Sequence, residues 1–98
     1  MNETNKIEIA GIINEPLSFS HEKFGEKFYT GVINVRRISG SFDHIKIMLS
    51  ERLPAVKNIL ENSNVLIRGQ FRSYNSIIGT SGRLILTVFG KEAEISSV

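Results

Sequence analysis

The sequence predicts an all-β domain with one short helix, five strands closing into a Greek-key barrel in the order β-β-β-α-β-β. Three observations carry this prediction. Apolar and polar residues alternate in five separate segments. The stretch with helical spacing, residues 53 to 60, falls between the third and fourth of them. Glycines interrupt the strands at Gly11, Gly31 and Gly69, as the bends of a small closed sheet require.

The first predicted strand is KIEIAGIIN, residues 6 to 14, with Ile7, Ile9, Gly11 and Ile13 on one face; a mid-strand glycine there marks a bend or a close approach. Residues 15 to 26 carry Pro16 and Gly25 among polar residues and read as a connection, with SHEKFGEKF a hairpin connection, although Leu17 to Ser20 could extend a strand. KFYTGVINVRR follows, with Tyr29, Gly31, Ile33 and Val35 on one face, and the turn signal SGS at 39 to 41 separates it from FDHIKIML. In that third strand Ile45, Ile47 and Leu49 point inward and Phe42, His44, Lys46 and Met48 outward.

The period then changes. Leu53, Val56, Ile59 and Leu60 follow helical spacing, Ser50 is placed to cap the start, and Pro54 is tolerated in a first turn, so a helix of about three turns is expected. Alternation returns in VLIRGQFRSY, and a loop NSIIGTSG leads to a long closing strand, RLILTVFGKEAEI. Repeats, low-complexity segments and linkers are absent, so residues 1–98 are read as a single domain with a disordered lead-in at 1–4. This order is that of the OB-fold, whose helix plugs one end of the barrel between strands three and four. A five-stranded open sheet with the helix on one face is the competing arrangement.

The chain has 98 residues and no Cys, which leaves neither a disulfide framework nor a thiolate site. The polar, acidic start and the lack of any apolar run near 20 residues give the expectation of a soluble cytoplasmic protein without a membrane segment. Net charge is only +2, but its distribution is uneven. From Lys27 to Lys91, ten Lys or Arg stand against Asp43, Glu51 and Glu61, whereas Glu3, Glu8, Glu15, Glu22 and Glu26 precede them. An electropositive middle suits a polyanion; a solvated basic surface is the plainer reading.

Five pieces in order resemble the bacterial single-stranded DNA-binding protein family. NKIEIAGIIN is similar to its opening strand, INVRR to its second, and IKIMLSERLPAVKNIL to strand three running into the helix. NVLIRGQFRSYN is similar to its fourth strand and RLILTVFGKEAEI to its last. The likeness implies an OB-fold that binds single-stranded DNA with little sequence preference, as a homodimer or homotetramer built partly through the first strand. Two departures stand out. The family's stacking tryptophans are replaced by His44 near the third-strand position and by Tyr74 or Ser76 near the fourth-strand tip, and the sequence carries no Gly- and Pro-rich linker with an acidic tip. It therefore looks like the short primosomal form, or like an accessory paralogue from a phage or a bacterial chromosome.

Single-strand binding without sequence preference needs cations along the phosphates and flat groups on which bases stack. Arg68, Gln70, Arg72 and Tyr74 share one face of the fourth strand, with Asn75 next to them, and Phe42, His44 and Lys46 share a face of the third. Arg36 and Arg37 close the second strand on opposite sides, so one of them lies on the groove, and Arg83 follows the IIGTSG loop, a gripping arm in an OB-fold. Each has a plainer reading: Tyr74 as a rim residue, Phe42 as a displaced core residue, Arg68 and Arg72 as partners of Glu. Phe71, Phe89 and Tyr29 are assigned to the core. His21 and His44 make a poor metal pair, no cofactor is implied, and no nucleophile stands with a base and orienter, so no enzyme is expected. Expected partners are single-stranded DNA and replication-restart, helicase or primase proteins. A protein-interaction module and an RNA-binding OB domain are the alternatives.

Overall fold

The computed structural model describes residues 5–78 and 81–96, with side chains described up to residue 72 and again from 86. The lead-in expected at 1–4 lies outside the described residues. Six strands follow in order: β1 (Ile7–Ile13), β2 (Ser18–Lys23), β3 (Glu26–Arg36), β4 (Phe42–Ser50), β5 (Ser63–Ile78) and β6 (Ser81–Ser96), with a 3-10 turn at Pro54–Asn58 between β4 and β5. Their order across the sheet is β1-β5-β6-β4-β3-β2, and a further pairing of β1 with β3 closes five of them into a barrel. All neighbours are antiparallel except β4 and β6, which run parallel, as the Greek-key OB-fold requires.

Period-2 patterning places the core where the sequence puts it. Ile13, Ile33, Ile47, Leu49, Ile67 and Val88 are fully buried, each contributing about 2 kcal/mol of transfer free energy, and Ile7, Ile9, Tyr29, Val35, Ile45 and Phe71 pack around them. Gly11 is the close approach anticipated in β1: a Cβ there would lie 2.3 Å from the carbonyl oxygen of Asn34, where β1 crosses β3.

Three local elements differ from expectation. The three-turn helix is a five-residue 3-10 turn. Pro54 forces Leu53 into an extended conformation (ψ 122°), Ile59 is extended as well, and Asn62 is left-handed, so no segment is long enough to carry an α-helix past nucleation. Val56 and Ile59 are still buried, since a three-residue repeat satisfies a 3-10 turn too, but Leu60 is exposed. Ser50 is no helix cap: it ends β4, its hydroxyl donates to the Glu26 carboxylate, and it accepts a hydrogen bond from Arg52 N. Residues 18–23 form β2, a hairpin with β3 through a turn in which Phe24 (φ 53°) and Gly25 (φ 78°) are both left-handed, the turn geometry that matches strand twist. Finally, the expected NSIIGTSG loop is mostly strand, because β5 and β6 stay paired out to Ile78 and Ser81.

One irregularity sets the phase of the outer face. Register between β5 and β6 passes from Arg68 opposite Glu92 to Gly69 opposite Gly90, so Lys91 is an extra residue in β6, a β-bulge.

Candidate nucleic-acid interface

Cross-strand partners project from the same side of a sheet. The registers therefore assemble the outer face of β3, β4, β6 and β5 row by row. Arg36 lies opposite Phe42, and Asn34 opposite His44. Val32, Lys46, Thr87 and Arg72 form the next row, and Thr30, Met48, Phe89 and Gln70 the one after. Lys46 and Arg72, distant in sequence, thus flank the buried Thr87 on one transverse line across four strands.

Phe42 is 49% exposed and stands on this face, not in the core. His44 Nδ1–H donates to Asn34 Oδ1, which fixes the ring beside an open groove of about 520 Å³ whose lining includes Asn14, Thr30, Asn34, His44 and Lys46, with Glu15 as its one acidic residue. The groove runs between the β1–β2 connection and the outer face of β3 and β4.

Of the two arginines at the end of the β3 segment, Arg36, the last residue of the strand, takes the face and Arg37, just past it, does not. Arg37 Nε and Nη2 both donate to Asp43 Oδ1, at 2.8 and 2.5 Å. The hydrogen bond from Arg37 is the main cause that holds the Asp43 carboxyl below its ordinary range, and the same contact raises the guanidinium. A carboxylate with a depressed folded-state pKa contributes stability that is present above its unfolded pKa and is lost as pH falls through the folded value. Arg37→Gln is accordingly expected to move the Asp43 titration upward toward the ordinary carboxylate range, as read by carboxyl-carbon NMR. An unchanged midpoint would mean that the pair is not formed in solution.

Arg68 is engaged as its plainer reading has it, as a partner of Glu residues. Its guanidinium lies 2.7 Å from Glu8, 3.4 Å from Glu92 and 3.6 Å from Glu94, three carboxylates around one cation. Their hydrogen bond and charge, Glu8 foremost, raise its pKa further. Gln70 lies between this acidic cluster and the Arg72 row. Tyr74 and Asn75 continue β5 opposite Ile85 and Leu84, and Arg83 stands in β6 opposite Ser76, but the side chains of all three lie outside the described residues.

Arg72 is held over an aromatic ring: its guanidinium carbon lies 4.1 Å from the centroid of the Phe89 ring. Phe89, assigned to the core from the sequence, is instead a half-buried shelf on the outer face. Lys91 reaches the same ring at 5.7 Å. Asn5 is a second residue that the sequence reading missed. Its side-chain amide donates to Phe71 O at 2.8 Å and accepts from Phe71 N at 3.0 Å, pairing with β5 as a strand would, one residue before Arg72. A side chain that mimics backbone pairing leaves no periodic signal, so no spacing rule would have found it.

A closed OB-fold barrel with cations set among aromatic rings across one sheet face defines the class of protein. No family model matches the chain, and no curated protein does. Among solved structures the chain is similar to the dimeric N-terminal domain of the PriB protein from Thermoanaerobacter tencongensis, with 38% identity and a TM-score of 0.84 over 98% of this chain and 100% of that one. The chain belongs to the PriB family.

Proposed function

We propose that the protein binds single-stranded DNA, with little sequence preference, through the outer face of β3, β4, β6 and β5, and that it acts in DNA replication as a primosome-type component. The observation that carries this reading is the transverse row in which Lys46 and Arg72 flank Thr87, with the Arg72 guanidinium over the Phe89 ring and Phe42 exposed two rows away. Cations meet phosphates and flat groups meet bases, a combination that tolerates any sequence. Arg36, His44 and Gln70 complete the face, with Tyr74, Asn75 and Arg83 on the β5–β6 arm beyond it. The dimeric arrangement of the related PriB domain supports a homodimer. The role is binding without catalysis, in the cytoplasm, with replication-restart proteins of the helicase or primase type as partners.

Titration of labelled oligo-dT across a salt series tests this. Affinity should fall steeply with salt, and Arg72→Ala should reduce the log-log slope by about 0.7, the loss of one phosphate contact on a single strand. Arg68→Ala should leave that slope unchanged, because three carboxylates already neutralise Arg68. Equal affinity for duplex and single strand, or no binding at low salt, would overturn the proposal.

A further inference from the structure

The face described above does not end at Phe89. Phe28, on β3, packs against it with ring centroids 5.9 Å apart. On the far side of Phe28 lies the imidazole of His21, on β2, stacked at 4.9 Å with the planes only 13° apart. His21 and Phe28 are register partners in the β2–β3 hairpin, so they share one side of it. Arg72, Phe89, Phe28 and His21 therefore form a column of flat groups that crosses the sheet from β5 to β2, transverse to the strands.

We propose that His21 is the terminal stacking platform for a nucleobase, so that the single strand leaves the central groove and continues onto the β2–β3 hairpin. This rests on the reading of the face as a single-strand site. Three features support it. His21 is exposed, so one face of its ring is covered by Phe28 and the other is turned to solvent. Its Nδ1 is within 2.9 Å of Ser20 Oγ, and together with Phe28 this holds the ring in place before any base arrives, which lowers the ordering cost of stacking. Beyond it stand Lys23 and the hairpin tip, where Phe24 is 93% exposed in a left-handed conformation that a bulky residue rarely adopts. The column is thus continuous with the cationic row at one end and followed at the other by Lys23, whose ammonium lies 5.7 Å from the centroid of the exposed Phe24 ring, an alternation of cations and rings suited to a single-stranded nucleic acid.

The test is oligo-dT of increasing length against the wild-type chain, His21→Ala and His21→Phe at pH 8, with thermal melting to check that each variant folds. Short oligomers that fill only the central face should bind all three proteins alike. As length grows, the wild type should gain affinity that His21→Ala lacks, by about fivefold, the equivalent of one weak base stack. His21→Phe should restore the gain, and the salt slope should be the same for all three, since a stack involves no phosphate. If His21→Ala follows the wild type at every length, the column is packing alone and this inference fails while the central site stands. If the wild type binds no oligomer, both readings fail.

Discussion

Lys46→Glu combined with Arg72→Glu is expected to weaken oligo-dT binding on the order of 100-fold or more at about 50 mM salt. The two residues share one row with Thr87 between them, so a strand crossing the sheet meets both. Removing two phosphate contacts lowers the log-log salt slope by about 1.4, and reversing their sign adds repulsion that is strongest at low salt. Lys46 and Arg72 point away from the apolar interior, so the melting temperature should stay within about 5 °C of wild type, the range of a surface change below about 1 kcal/mol. Retained affinity in a folded double variant would remove this face from consideration.

The largest expected effect on stability is at Gly69. A Cβ there would lie 2.0 Å from the carbonyl oxygen of Phe89 and 2.9 Å from Cα of Gly90, both backbone atoms of the neighbouring strand. No rotamer relieves such a contact, so Gly69→Ala must push β5 and β6 apart at the bulge. The cost should be about 3 kcal/mol, at the upper end of overpacking, and should appear as a fall in melting temperature of about 12–20 °C. Because the bulge sets the phase of Phe89, oligo-dT affinity measured well below the melting point should fall as well. A variant that melts like wild type would mean that the strands separate more easily there than their spacing implies.

The residues that were legible in the sequence are those whose position follows a simple period. β1, β3 and β4 each alternate without interruption, so their inner and outer faces could be assigned, and with them Phe42, His44 and Lys46. Phe89 shows where that reasoning stops. Ala93, partly buried, and Val88, fully buried, both turn toward the core, yet they are an odd number of residues apart, because Lys91 resets the phase. Alternation counted back from Ala93 through the bulge turns Phe89 inward, whereas it faces out. The helix was misjudged for a related reason, since the spacing from Leu53 to Ile59 is common to α and 3-10 geometry and Pro54 decides between them. The β2–β3 connection reads as a hairpin, but the extent of β2 does not, because SFSHEK is exposed throughout and carries no apolar alternation. The fate of Arg68 depends on Glu8 and Glu92, brought to it by pairing across the barrel, and no local pattern announces that.

The closure of the barrel has a consequence for the bound state. β1 is paired with β5 along its whole length, but among the described residues it meets β3 at a single register pair, Ile12 with Asn34. That join is the seam of the barrel, with fewer register pairs among the described residues than any other pair of neighbouring strands. Asn14 lies just past one side of it, Asn34 and His44 lie on the other, and the groove they line runs over it. A DNA strand seated in that groove, as the proposed interface has it, would be a clasp as well as a cargo: whatever it gained by touching both sides would be withheld from the opened barrel, so occupancy would tighten the fold at this join.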